Sequence, residues 1–214
     1  MTDGAGRRTP PVPHFGSRTE EAFRYALATH GAQVRKGAAV PYISHLLAVA
    51  SIVMEDGGDE DQVVAALLHD VVEDHGGAPR LDDVAHRFGD RVAEIVRACS
   101  DSLAEDPREK APWAERKGAF VAALAAETDE AILRVALADK LHNVRAMVAD
   151  AAADPASWRR YNAPPVPIVA YYRGCLAALR RGLPGSRFVP ELAVEIERLA
   201  ALADAETARR GAAG

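Results

Sequence analysis

Residues 66–74 read Ala-Leu-Leu-His-Asp-Val-Val-Glu-Asp, and this stretch decides how the chain is interpreted. A histidine and an aspartate, His69 and Asp70, stand side by side after an apolar run. Two further carboxylates, Glu73 and Asp74, follow at helical spacing. Burying such groups among leucines and valines costs free energy unless a metal ion or an opposite charge compensates them. The stretch therefore predicts a helix that belongs to a core and also carries chemistry.

A metal site is the first interpretation, because two more candidate ligands occur elsewhere in apolar surroundings. His45 ends the run Pro41-Tyr42-Ile43-Ser44-His45, and Asp139 lies in Ala138-Asp139-Lys140-Leu141-His142-Asn143. Each histidine alone would more often be an ordinary core or surface residue, so the combination carries the prediction. Imidazole and carboxylate ligands together suit Mn²⁺, Fe²⁺ or a similar octahedral ion, which would activate a bound water. The predicted ligands of this one ion are His45, His69, Asp70 and Asp139.

Glu73 and Asp74 are the predicted catalytic residues. Glu73 follows His69 by four positions and Asp70 by three, so on a helix it shares their face one turn on. A carboxylate there can take a proton from a metal-bound water or orient that water. Asp74 follows Asp70 by four positions and can do the same or support a ligand. Two acids at a helix C-terminus oppose the helix dipole, which favours a functional role for at least one of them.

The segment after Asp139 carries further polar residues. Asn143 follows Asp139 by four positions, points the same way, and suits substrate recognition or support of a ligand. His142 is expected to be structural or to support a ligand without binding the metal. Lys140 and Arg145 are expected to face solvent.

Composition bounds the class of protein. The chain has 214 residues, 49% of them hydrophobic, and a formal net charge of −5, which argues against general nucleic-acid binding. No run approaches the about 18 apolar residues of a membrane-spanning helix, and Arg7 and Arg8 precede no apolar segment. We therefore expect neither a membrane anchor nor a secretory signal. Cys99 and Cys175 lack metal-ligand spacing and are expected to be buried free thiols of a cytoplasmic protein.

Periodicity and capping signals predict an all-α chain without strand alternation. Helical patterns begin at Ser17, and one helix is expected from the cap Asp59 through the His-Asp pair to Gly76-Gly77. Residues 101–112 are expected to form an exposed polar loop. The last three helices are expected over residues 129–149, 168–181 and 190–209.

The expected organisation is one domain with a frayed segment at each end. It comprises a disordered leader (1–16), a catalytic core (17–150), C-terminal helices packed on the core (151–209) and a disordered tail (210–214). Apolar positions on the last helix would serve core packing or, less commonly, a homodimer: Leu192, Ile196, Leu199 and Leu202.

Several of these motifs together resemble a known family, the HD-superfamily alarmone hydrolases. The order and spacing of that family are followed by Arg35-Lys36-Gly37, Pro41–His45, His69–Asp74, Phe88-Gly89-Asp90 and Leu137–Asn143. These metal-dependent phosphohydrolases include the hydrolase half of RelA/SpoT enzymes and the single-domain small alarmone hydrolases. Several motifs in order are far more specific than a His-Asp dipeptide. The resemblance implies an all-α, single-domain HD helical bundle.

The resemblance also implies an activity and a set of roles. It implies one Mn²⁺ ion and removal of the 3′-pyrophosphate from guanosine 3′,5′-bis(diphosphate)-type alarmones, with Glu73 and Asp74 acting on the water. Arg35 and Lys36 would stand near the nucleotide, and Asn143 near its ribose or phosphates. Glu115-Arg116-Lys117 resembles a basic patch of the small hydrolases that touches the distal phosphates, which places Lys117 in the site.

The sequence departs from the family pattern near the expected substrate. His75 stands where the family often has threonine, and Cys99-Ser100-Asp101-Ser102 replaces a Val-Thr-Lys-Leu motif. Tyr171, Tyr172 and Arg173 could stack on a base and bind a phosphate, or could form a helix boundary with solvent. These differences leave other substrates open: ppApp, NADPH or a nucleoside phosphomonoester. A further alternative is a sensor that binds a nucleotide without cleaving it.

Overall fold

The computed structural model describes residues 14–212, and the regular elements within this range are helices apart from one isolated bridge between Val34 and Pro41. The all-α prediction is confirmed. The part of the expected leader before residue 14 lies outside the described residues. The α-helices are α1 (Ser17–His30), α2 (Ile43–Glu55), α3 (Glu60–Leu68), α4 (Val71–Asp74), α5 (Gly77–Phe88), α6 (Asp90–Cys99), α7 (Trp113–Ala126), α8 (Glu130–Ala153), α9 (Pro165–Gly182) and α10 (Phe188–Ala212).

The centre of the molecule is formed by α3 and the first half of α8, which are buried on nearly every side. Residues 62–68 of α3 are all buried, and α8 is buried almost continuously from Ala131 to Leu141. A helix that is apolar all round belongs inside a protein, and α8 packs against α2, α3, α6, α9 and α10. The polar residues of these two helices are therefore held in a rigid, close-packed environment.

The structure corrects the continuous helix expected over residues 59–77. Because α3 ends at Leu68 and α4 begins at Val71, His69 and Asp70 lie in a turn between two helices. Neighbouring residues of an unbroken helix point roughly 100° apart. The Asp70 backbone, at φ −98° and ψ −7°, departs from ideal helix geometry. The turn lets two consecutive side chains reach the same point.

The structure also corrects the expectation that residues 101–112 form an exposed loop, because the start of this loop packs closely against Gly77. Its φ of +59° is a left-handed conformation that favours glycine. A Cβ atom here would lie 2.4 Å from the carbonyl oxygen of Leu103, which also accepts a 3.2 Å hydrogen bond from the amide of Ala78. The first part of the loop is thus folded back on α5. The side chain of Asp101, at the start of this loop, is buried.

The C-terminal helices extend past the expected bounds. α8 crosses the expected division at residue 150, and α10 continues into the expected tail. α9 begins at Pro165, earlier than expected, because proline fits the first turn of a helix, where its missing N–H is not needed. On α10, Leu192, Ile196 and Leu199 are buried against the rest of the chain.

Two further expectations concern the cysteines and membrane-spanning helices. Cys99 and Cys175 are both buried free thiols, as predicted. None of the helices within residues 14–212 combines the length and the apolar character needed to cross a membrane.

Candidate metal centre and active site

The structure brings the four predicted ligands to one point between α2, α8 and the turn after α3. The Oδ2 atom of Asp70 lies 3.0 Å from Nε2 of His69 and 3.4 Å from Nε2 of His45. The Oδ1 atom of Asp139 lies 3.3 Å from Nε2 of His45 and 3.6 Å from Nε2 of His69. Two imidazole nitrogens and two carboxylate oxygens therefore face each other across a few ångströms.

This donor set fits a divalent first-row metal ion. The Nε2 atoms of His45 and His69 are buried and lack a well-aligned hydrogen bond among the described residues. Burial alone would lower the pKa of His69, but Asp70 and Asp139 outweigh it and hold that pKa well above its usual value. Positive charge is thus favoured at this point, and a metal ion supplies it while accepting both nitrogen lone pairs.

Each ligand is oriented by a contact behind it. The Nδ1 atom of His69 donates to the carbonyl oxygen of Ala66 at 2.8 Å, which directs Nε2 toward the carboxylates. Nδ1 of His45 lies 2.8 Å from Nδ1 of His142, and the Tyr42 hydroxyl donates to Oδ2 of Asp70 at 2.6 Å. These contacts therefore fix the orientation of the candidate ligands.

Lys140 and Asn143 orient the remaining candidate ligand, Asp139. The expectation that Lys140 faces solvent is wrong, because its ammonium group donates to Oδ2 of Asp139 at 2.5 Å and lies 4.5 Å from the centroid of the Phe120 ring. Asn143 donates to the other oxygen of Asp139 and accepts a 2.6 Å hydrogen bond from Arg35. Arg145 pairs with Glu191.

A cavity of about 270 Å³ opens beside the ligands. It is lined by residues that the sequence singled out, Lys36, Lys117, Asn143 and Tyr172 among them, together with Glu73 and Asp74. An adjoining cavity of about 690 Å³ shares part of this lining and adds Arg35. Arg173 lines neither cavity, because it pairs with Glu197 of α10 at 2.9 Å.

Glu73 and Asp74 have different surroundings at the cavity wall. Burial, followed by the nearby charge of Asp101, raises the pKa of Glu73 to about 7. Lys110 and Arg116 lie 3.6 and 3.7 Å from its Oε1 atom. Glu73 can therefore hold or release a proton near neutral pH.

Asp74 accepts a 3.0 Å hydrogen bond from the side-chain amide of Gln33. The carbonyl end of that amide contacts ring nitrogens of His30 and His75, at 2.7 and 2.8 Å. Both histidines therefore help to set the direction in which the amide points. Asp74 is held as a hydrogen-bond acceptor at the mouth of the cavity.

Asp101 and Tyr42 are two residues of the site to which the sequence assigned no role. Asp101 contacts both Arg116 and Lys117 inside the cavity wall. Its only sequence signal was its place in a stretch that departs from the family pattern. Tyr42 was visible in the run before His45, but nothing in that run pointed to its bond with Asp70.

Two sequence relatives match about three fifths of this chain. A probable GTP pyrophosphokinase of Mycobacterium leprae is 38% identical over 131 residues, which is 61% of this chain and 16% of that protein. A guanosine-3′,5′-bis(diphosphate) 3′-pyrophosphohydrolase of Aquifex aeolicus is 33% identical over 135 residues, which is 63% of this chain and 18% of that protein. The chain thus spans less than a fifth of the length of either relative.

Solved structures and a family match complete the comparison. A metazoan ortholog of SpoT, described as hydrolysing ppGpp, has a TM-score of 0.68 and 28% identity, over 91% of this chain and 99% of that one. A Listeria monocytogenes structure has a TM-score of 0.55 and 25% identity, over 75% and 99% of the two chains. Residues 22–161, which contain all four candidate ligands, match the HD domain family. The chain therefore belongs to the HD domain family.

Proposed function

We propose that this protein hydrolyses guanosine 3′,5′-bis(diphosphate)-type alarmones and releases the 3′-pyrophosphate. The observation that carries the proposal is the convergence of His45, His69, Asp70 and Asp139 beside a cavity whose wall holds both acids and cations. The names of the Aquifex aeolicus relative and of the metazoan structure support the same substrate.

The proposed cofactor is one Mn²⁺ ion or another divalent first-row ion, held by those four residues. When bound, such an ion polarises a phosphoryl group and lowers the pKa of a coordinated water. The chain contributes the orientation of the ligands through His142, Tyr42 and Lys140. These contacts restrict the ligand side chains to one arrangement and exclude bulk water from their buried faces.

Glu73 and Asp74 are the proposed catalytic residues. Glu73 changes protonation near neutral pH, so it can take a proton from the attacking water or return one to the leaving oxygen. Asp74, fixed by Gln33, can accept a hydrogen bond from the same water. The two carboxylates thus divide proton transfer and water orientation between them.

Substrate contacts are proposed for both cavities. Arg116 and Lys117 line the smaller cavity and can bind phosphate oxygens. Lys36, Asn143 and Tyr172 line both cavities, and Arg35 lines the larger one, so these residues are proposed to contact the nucleoside and its 5′-phosphates. Arg173 is left out because it pairs with Glu197 on the outside of α9.

A substrate panel tests the proposal. Mn²⁺-loaded protein is incubated separately with ppGpp, ppApp, NADPH and nucleoside monophosphates, and the products are separated by anion-exchange chromatography. We expect ppGpp to be consumed in a reaction that a chelator blocks. Turnover of another compound alone would keep the metal chemistry and replace the substrate. Absence of turnover across the panel would favour a nucleotide sensor.

A further inference from the structure

A cluster of two acids and three cations lies at one end of the smaller cavity, and all of its members except Lys110 line that cavity. We call it the charge cluster, and its members are Glu73, Asp101, Lys110, Arg116 and Lys117. They come from α4, from the loop after α6 and from α7. Asp101 lies at the centre, and its side chain is only 1% exposed.

Asp101 holds two of the cations in fixed positions. Arg116 donates to its Oδ1 atom, and the ammonium nitrogen of Lys117 lies 2.6 Å from its Oδ2 atom. Lys117 is also 5.2 Å from the centroid of the Tyr171 ring, so it is confined between a carboxylate and an aromatic face. Both cations line the cavity. Their charges are therefore presented to whatever occupies it.

Asp101 also contacts the catalytic acid Glu73. Its backbone amide donates to Oε2 of Glu73 at 3.4 Å, and Arg116 lies 3.7 Å from the other carboxylate oxygen. Burial alone would raise the pKa of Asp101, but Lys117 and Arg116 outweigh it and hold that pKa below its usual range. A carboxylate that stays ionised therefore stands beside one that titrates near neutral pH.

We propose that Asp101 is a positioning residue, which aims Arg116 and Lys117 at the phosphates of the substrate and sets the charge beside Glu73. The inference rests on the proposed function, since it assigns the phosphates to this end of the cavity. Long cationic side chains lose rotamer freedom when they bind an anion. Because the Asp101 carboxylate orders Arg116 and Lys117 before substrate binds, it reduces the entropy that these side chains lose on binding. It also neutralises part of their positive charge.

Asp101→Asn keeps the shape of the side chain and removes its charge. Arg116 and Lys117 then lose their anchor, and we expect KM for ppGpp to rise about tenfold, the loss of one charge-assisted hydrogen bond. The charged groups facing Glu73 are Asp70, Asp101, Lys110, Arg116 and Lys117. Removing one of the two negative charges among them moves the titration of Glu73 to lower pH.

The experiment measures both consequences. kcat and KM are determined with Mn²⁺-loaded protein across pH, and the Glu73 carboxyl is titrated by ¹³C NMR in protein loaded with diamagnetic Mg²⁺. Asp106→Asn is the matched control, because Asp106 lies on the same loop and pairs with exposed Arg108. Lys117→Gln should shift the Glu73 titration in the opposite direction, to higher pH, while also raising KM.

The outcomes separate this inference from the proposed function. A higher KM and a lower Glu73 midpoint in Asp101→Asn, with Asp106→Asn unchanged, would support it. An unchanged Glu73 midpoint would overturn it, whatever the enzyme hydrolyses, because the NMR measurement needs no substrate. An unchanged KM in an active enzyme would overturn the positioning role. Asp101→Ser supplies a second uncharged side chain if the asparagine variant does not fold.

Discussion

The imidazoles of His45 and His142 face each other through their Nδ1 atoms, 2.8 Å apart, on the side of His45 away from the carboxylates. Burial and the neighbouring His45 lower the pKa of His142 to about 4, so His142 is neutral under ordinary conditions. Its Nδ1 can therefore accept a hydrogen bond from the protonated Nδ1 of His45, which leaves the Nε2 lone pair of His45 free for a metal ion.

His142→Ala removes this support, and we expect a 10- to 100-fold weaker affinity for Mn²⁺, roughly the effect of losing such an outer contact. Isothermal titration calorimetry measures it. His86→Ala, at an exposed position of α5, is the control. Equal affinities in the two variants would show that His142 does not orient His45.

The raised pKa of Glu73 predicts a stability difference that depends on pH. An acid whose pKa is higher in the folded chain than in the unfolded chain stabilises the folded chain when it is protonated. For Glu73 this contribution is lost as the pH rises from the ordinary pKa of a glutamate toward about 7. Glu73→Gln removes the penalty of burying the charge. We compare the free energy of unfolding of this variant with that of the wild type in the presence of a chelator. We expect the difference, variant minus wild type, to be roughly 1–3 kcal/mol larger at pH 8 than at pH 4.

Urea denaturation at the two pH values checks this prediction. Glu115→Gln, at an exposed position of α7, should show no such gain. If Glu73→Gln follows the wild type at both pH values, Glu73 has an ordinary pKa and its proposed role in proton transfer loses its basis.

Lys140 predicts a link between stability and the metal. Lys140→Met leaves Asp139 without its 2.5 Å partner in a buried setting, and removal of one member of a buried ion pair costs about 3–5 kcal/mol. A bound cation would compensate Asp139, so Mn²⁺ should restore more stability to this variant than to the wild type. Chemical denaturation with and without Mn²⁺ measures the difference. Equal gains would mean that Asp139 does not bind the ion.

Gly77 predicts that a backbone position outside the cavity affects both stability and activity. Gly77 has a left-handed backbone conformation, and Gly77→Ala would place a Cβ atom against the Leu103 carbonyl. We therefore expect the free energy of unfolding to fall by about 1–3 kcal/mol and the loop that carries Asp101 to be displaced. Gly118→Ala is the contrasting variant, since its Cβ meets no atom within 4 Å. It should stabilise α7 by roughly 0.5–1 kcal/mol. Thermal unfolding midpoints that move in the same direction in both variants would contradict the difference in packing between Gly77 and Gly118.

The candidate ligands could be found from sequence because each is a polar residue in an apolar stretch of the chain. His45, His69, Asp70 and Asp139 need no tertiary information to stand out, and the family pattern adds their order along the chain. The turn at His69–Asp70 was missed because the apolar pattern runs on through it. Only the requirement that both side chains reach one ion distinguishes a turn from a helix there.

Residues placed by tertiary packing could not be found in this way. Asp101 is buried because its loop folds back on Gly77, and Lys140 because the ring of Phe120 from α7 covers it. Arg173 follows Tyr172 directly, so it points roughly 100° around α9 and faces α10 instead of the cavity. The sequence of a helix does not by itself determine which of its faces the neighbouring elements cover.

Metal-dependent release of pyrophosphate from ppGpp can be followed by ³¹P NMR of the products, recorded after Mn²⁺ has been removed because this paramagnetic ion broadens phosphorus signals. Protein supplied with Mn²⁺, and the same protein with a chelator, are compared with Asp70→Ala after far-UV circular dichroism has shown that the variant keeps its helices. We expect inorganic pyrophosphate and guanosine 5′-diphosphate in equal amounts from the Mn²⁺-loaded protein, and no products from the other two samples. Orthophosphate as the product, or undiminished turnover by folded Asp70→Ala, would contradict it.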